Sequence, residues 1–306
     1  MTAQEAIAWS EAVAAVPEGR RWRRLRVLLR DRAAVAGAVL LLLFVLASIF
    51  APLLTPYGPN TTDFTNTLSG PGVHHWLGTD DLGRDELTRI LYGGRVSIGM
   101  AVVAATLSAA IGLTLGLISG YFGGVFDLVL MRVVDGLQAL PGLLLAFAVA
   151  GLLGAGLLNI EIAVIAVWWT GYARVVRSMV LSLRERAFVE AARGTGATNR
   201  MIIIRHILPN VVGPATVLAT LELAHVLLAL AALSFLGLGV APPTAEWGTM
   251  LSQAKDFFDR APQLLIYPGL AITLVALASN LMGDGLRDAL DPRLQRDVTV
   301  RCVAAR

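Results

Sequence analysis

The side chains with the widest chemical repertoire are few in this chain and lie far apart. It has four histidines and one cysteine. His74 and His75 are adjacent, in a polar stretch before Trp76; neighbouring side chains point apart, which argues against a shared metal ion. His206 and His225 stand in separate segments. Cys302 has no second cysteine to form a disulfide or a zinc pair. The chain also has no glycine-rich phosphate loop of the Walker type and no nucleophile elbow, so it is not expected to hydrolyse a nucleotide or to be an enzyme. Two places remain. Glu222 and His225 sit three residues apart inside an apolar run, on one face of a helix. Ionisable groups in such a run can line a polar path, meet a cationic solute or carry a proton; alternatively each bonds a neighbouring helix. Asp135 and Asp284 fall near the ends of their runs and read as interfacial. The second place is the string Glu190-Ala191-Ala192-Arg193-Gly194-Thr195-Gly196, followed by Ala197 to His206 and then Ile207-Leu208-Pro209. It reads as a short amphipathic helix, a corner bent at Gly194 and Gly196, a second short helix, and a proline opening the next long run. A loop serving only to carry positive charge would not need such a rigid elbow.

The elements that must hold these residues are helices in lipid. Hydrophobic residues make up 56% of the 306 positions and charged residues only 15%, against about 25% charged in soluble proteins; mean hydropathy is +0.68. One soluble core cannot hide that much apolar surface. The same figures exclude intrinsic disorder, and long unbroken apolar runs exclude a barrel of short alternating strands. A helix crossing ~30 Å of hydrocarbon needs ~20 residues. Six runs reach about that length: Ala33–Leu54, Val96–Gly120, Val133–Leu158, Glu161–Val180, Val211–Leu238 and Leu264–Met282. The expectation is an all-α membrane protein with six transmembrane helices. It divides into a basic segment 1–32, a first span 33–54, an outer loop 55–95, a five-helix core 96–285 containing the elbow at 181–210, and a tail 286–306. In the second run Ser108, Gly112, Gly116 and Gly120 recur every four residues, a ladder of small side chains that lets another helix approach closely.

Arginine placement sets the orientation. With the amino terminus inside, the inner segments hold 20 Arg or Lys and the outer ones five; under the positive-inside rule both termini are cytoplasmic. The same rule explains the basic clusters at 20–32 and 174–205, and no aromatic stacking platform accompanies them, so a nucleic-acid partner is not expected. The basic lead-in is too long for a cleaved signal peptide and reads as an uncleaved first span. Nine outer acids, among them Asp80, Asp85, Glu86 and Glu246, suggest a surface for docking a partner.

The elbow resembles the EAA loop of binding-protein-dependent ABC importer permeases, matching at Glu190, Ala191, Ala192, Gly196, Leu208 and Pro209, with His206 where that pattern has isoleucine. Three further strings, His75–Arg95, Leu233–Leu251 and Asn280–Arg293, are similar to the second permease subunit of dipeptide and oligopeptide importers, and to glutathione and nickel permeases of the same subfamily. The resemblance spans roughly residues 33–295. It implies a type I ABC importer fold in the bacterial cytoplasmic membrane, and coupling to an ATPase through Glu190, Ala191, Ala192, Arg193, Gly194, Gly196, Leu208 and Pro209. It also implies a second homologous permease subunit, two ATPase subunits or one two-domain ATPase, and an extracytoplasmic substrate-binding protein. No cofactor would be bound by this chain; ATP and Mg would sit on the ATPases. The implied cargo is a di- or oligopeptide, with nickel or glutathione as alternatives, and a secondary transporter is the reading from another class.

Overall fold

The computed structural model describes residues 28, 29 and 31–290. Most of the basic segment, Cys302 and all but the start of the tail lie outside the described residues. Apart from one isolated bridge between Thr79 and Asp85, the regular structure among the described residues is helical. In chain order the helices are α1 (Arg32–Ile49), α2 (Ala51–Leu54), α3 (Glu86–Phe122), α4 (Gly124–Gln138), α5 (Gly142–Leu153), α6 (Leu157–Arg184), α7 (Ala187–Gly194), α8 (Asn199–Ile202), α9 (Leu208–Leu233), α10 (Trp247–Ala254) and α11 (Gln263–Leu290).

The chain runs back and forth between two ends of one bundle. The segment 55–85 and α10 cap one end; α7 and α8 form the elbow at the other. Residue 31 and the end of α11 share the elbow end, where a Cβ on Gly285 would lie 2.1 Å from that of Ala34. α1 lies along α11, with Gly37 against the Ala278 carbonyl and Leu281, and turns Val39, Leu42, Leu43 and Leu46 outward, as a helix facing lipid does. The core is built from α3, α5, α6, α9, α10 and α11, with Ala104, Ile160, Val164, Val226 and Leu233 fully or almost fully buried.

Among the described residues, four helical stretches are long and apolar enough to cross a membrane: α1, α3, the continuous stretch Asn199–Leu238, and α11. The third expected run is not one straight helix. Between α4 and α5 the axis turns by 92°, at Pro141, which lacks an amide donor and holds the preceding residue out of helix. Counted as one broken span the pair makes five. The remaining expected crossing, the fourth run Glu161–Val180, corresponds to α6, which has 28 residues but is more polar, with Asn159, Glu161, Tyr172, Arg174, Arg177 and Arg184. Length and apolarity alone therefore do not establish six crossings. Some expected borders also move. α3 starts at Glu86, so the last ten residues of the loop 55–95 are helical, and α11 continues five residues into the expected tail. At 1.5 Å per residue the 37-residue α3 is about 55 Å long. It exceeds ~30 Å of hydrocarbon, so its first turns stand clear of the membrane, among the cap residues.

Candidate functional site

The elbow begins with α7, amphipathic in sequence and fixed by one buried residue, Val189. It ends in a Schellman arrangement: the Ala197 amide donates to the Ala192 carbonyl at 3.1 Å and the Gly196 amide to that of Arg193 at 3.0 Å. Gly196 occupies the left-handed region at φ +80°, which a side chain strains. Gly194 does not share that role; it is the last helical residue, and its φ is not positive. After the corner, Thr198 caps α8 by accepting from the Met201 amide at 3.3 Å. The second short helix does not stop before Pro209 as expected. It continues through a π-turn at Ile203–Ile207 into α9, and the wider turn accommodates a proline that would clash with an ordinary helix carbonyl. Leu208 and Pro209 thus lie within one unbroken helix.

Ile202, Ile207 and Val211 pack under the elbow against Tyr121, Val176 and Val180. The Tyr121 hydroxyl donates to Asn199 Oδ1 at 2.8 Å, and the Arg193 guanidinium lies 5.9 Å from the Tyr121 ring centre. The elbow is therefore fastened to the ends of α3 and α6. Its outer side exposes Glu190, Ala191, Arg193, Gly194 and Gly196, with Ala192 half-buried. Phe188, Met201 and Ile204 are also exposed, and a shallow depression of about 570 Å³ lies between Thr198 and Pro209.

Gly112, Gly116 and Gly120 all face α6. A Cβ on Gly112 would come within 2.3 Å of Tyr172 Cβ, on Gly116 within 2.5 Å of the Ala173 carbonyl, and on Gly120 within 2.8 Å of Val180 Cβ. Ser108, one turn earlier, is buried, and its hydroxyl has no partner among the described residues. Near the elbow end, Arg177 grips Asp127 with two nitrogens and Arg174 meets Asp135 at 2.6 Å, tying α4 to α6.

Glu222 and His225 face each other along α9, Oε2 to Nδ1 at 3.7 Å. Their surroundings differ. Glu222 lines a cleft of about 440 Å³ bounded by the α4–α5 bend, the middle of α6, and α9, whereas His225 is not among the lining residues and its side chain is 64% exposed.

The sequence has counterparts among known proteins. The family described as the inner membrane component of binding-protein-dependent transport systems matches residues 112–296. The amino-terminal transmembrane domain of oligopeptide transport permease C matches residues 20–71. The chain belongs to this permease family. It is 45% identical to the dipeptide transport system permease protein DppC of Alkalihalophilus pseudofirmus, over 90% of each chain. A putative peptide transport system permease protein of Brucella abortus is 45% identical over 89% of this chain and 92% of its own. The glutathione transport system permease protein GsiD of Shigella flexneri is 45% identical over 90% of each. The permease is thus a multi-pass inner-membrane component of a binding-protein-dependent ABC importer, a non-catalytic subunit in a system that includes an ATPase and a binding protein.

The cap of the permease corrects one expectation. Asp80, Asp85, Glu86 and Glu246 are at most 6% exposed, so four of the nine outer acids are not available to dock anything. Asp80 accepts from Arg84 Nε at 2.6 Å and faces Arg89 Nε at 3.4 Å. Arg89 donates onward to the carbonyls of Pro59 and Pro243 and to Gln253. Asp85 caps α3 through the Thr88 amide at 2.8 Å and meets His75 at 2.9 Å. Glu246 caps α10 through the amides of Gly248 and Thr249 and accepts from Ser97, while Trp247 Nε1 donates to the Ile90 carbonyl at 2.9 Å. Two of the strings that carried the family resemblance are therefore packed on each other. Burial above all, with the charges of Asp80 and Asp85 adding to it against Arg89 and Arg84, drives the Glu86 carboxyl from its ordinary 4.5 up to about 8; its Oε1 has no partner among the described residues.

Proposed function

We propose that the permease forms half of a translocation path for peptides, opposite a second homologous permease subunit, and that its elbow transmits motion from the ATPase. α6 is taken as the remaining crossing, since the glycine ladder holds it against α3 through the bundle. Both termini are then cytoplasmic, with the elbow inside and the cap outside. The observation that carries this reading is the elbow itself. It presents Glu190 and exposed apolar residues outward, while Tyr121, Asn199 and Val189 fix it to the bundle, so a push on α7 moves the core helices. ATP and Mg belong to the ATPase side, as two subunits or one two-domain chain, and the binding protein delivers cargo to the cap.

The relatives support peptide cargo, and the glutathione permease at equal identity supports a second reading, a small thiol peptide. A secondary transporter is set aside by the family. Identifying the ligand held by the cognate binding protein, followed by uptake in a strain lacking this permease, tests the proposal. A di- or oligopeptide whose uptake requires this chain supports it; a non-peptide ligand contradicts the cargo.

A further inference from the structure

The cleft beside Glu222 lies where the bundle is least regular, with the 92° bend of α4 and α5 as one wall. Broken helices near the middle of a bundle are a recurrent setting for solute sites in transporters. Among the described residues, Glu222 is the one charged side chain lining the cleft. Trp168 and Tyr172 supply aromatic walls from α6, and Gln138 and Thr170 are hydrogen-bonded to each other at 3.2 Å across it. Tyr172 is 2% exposed and its hydroxyl has no partner among the described residues. The two nearby arginines, Arg174 and Arg177, are engaged with Asp135 and Asp127. At about 440 Å³ the space falls within the ordinary range for small-ligand sites.

We propose that this cleft is an ammonium subsite, in which Glu222 receives a primary ammonium group with Trp168 and Tyr172 flanking it. The argument is one of charge and surroundings. A carboxylate in the middle of a membrane bundle is costly alone, and its neighbour His225 reaches it only at 3.7 Å from outside the cleft. A cation entering the cleft neutralises the carboxylate at short range and lies against aromatic faces, which attract cations. A carboxylate or phosphate finds no cationic side chain among the described residues of the lining. Under the peptide reading above, on which the choice of cargo rests, the group received is the free amino terminus; a lysine side chain carries the same chemistry.

The test uses the full complex in lipid nanodiscs without binding protein, with Cys302→Ser and Val175→Cys. Val175 lines the cleft and is exposed. The labelling rate with N-ethylmaleimide is measured against L-alanyl-L-phenylalanine, its N-acetyl form, N-acetyl-lysinamide and n-butylammonium. The amine-bearing probes should protect at least fivefold better than N-acetyl-alanyl-phenylalanine, and Glu222→Gln should abolish that advantage. Protection by alanyl-phenylalanine, N-acetyl-lysinamide and butylammonium alike would mean that any primary amine enters; a lead for alanyl-phenylalanine would assign the amino terminus, and both support the subsite. Equal protection by the acetylated peptide, protection unchanged in Glu222→Gln, or a cysteine that never reacts would overturn it. Butylammonium reports on the subsite even if peptide uptake fails, so failure of the cargo reading is seen separately.

Discussion

The closeness of α3 and α6 makes Gly116 the position where one added carbon matters most clearly. In Gly116→Ala the new Cβ would meet the Ala173 carbonyl at 2.5 Å, Val176 Cβ at 2.9 Å and the Arg177 amide at 3.1 Å. None of these atoms can rotate away, because two are backbone and the third is a β-carbon. Restoring ordinary contact requires the helices to part by roughly 1 Å, and a gap of that size forfeits a quarter to a half of each dispersion contact along the seam. Overpacking of this kind costs about 1–3 kcal/mol, while replacing glycine by alanine within a helix returns about 1 kcal/mol. The net expectation is a loss of up to about 2 kcal/mol. Gly99 is the internal control, since it lies on the same helix with nothing within 4 Å of its added Cβ; Gly99→Ala should be neutral or slightly stabilising. Unfolding of the purified complex in a denaturing detergent titration would compare the two. If Gly116→Ala is as stable as Gly99→Ala, the reasoning about the ladder is wrong. Gly116→Leu should lower the complex melting temperature further, without regard to substrate.

Three other outcomes follow from the elbow and the cap. Glu190→Lys reverses the charge on the exposed face of α7 and should leave assembly intact while lowering transport-stimulated ATP hydrolysis at least tenfold, measured in proteoliposomes; unchanged hydrolysis would remove Glu190 from the contact. Gly196→Val forces a β-branched residue to φ +80°, a strain of about 1–2 kcal/mol or more; uptake should fall with membrane insertion unaltered, whereas Gly194→Ala should be mild, which paired uptake assays would show. For Glu86 the folded carboxyl titrates near 8 against 4.5 in its ordinary state. Because its folded value is raised, its contribution is fully present below about 4.5 and is lost as pH rises through about 8. Glu86→Gln should therefore flatten the fall in thermal stability between pH 6 and 8, by roughly 3 kcal/mol; identical pH profiles for both proteins would refute this.

What the sequence disclosed and what it withheld have physical reasons. Apolar length announces α1, α3 and α11 directly, because a membrane span is a local property of some twenty residues. The four-residue spacing of Gly112, Gly116 and Gly120 points to one close face, though not to α6 as the helix that meets it. The bend between α4 and α5 had a local signal, Pro141 followed by Gly142, inside a run read as continuous. Pro209 gave the opposite error: a proline that reads as a helix start is absorbed by a π-turn. The buried state of Arg89 has no local signal, since its partners Pro243 and Gln253 lie more than 150 residues away. For the same reason nothing near Glu222 in sequence announces Trp168, Tyr172 and Gln138 around one cleft.

Energy coupling is the central claim, and it is measured most directly by dipeptide uptake in cells lacking this permease and supplied with it again. Uptake should return with the wild-type chain, require the binding protein, and vanish when the partner ATPase carries a substitution that blocks ATP hydrolysis. Uptake that persists with the ATPase inactive would contradict the account.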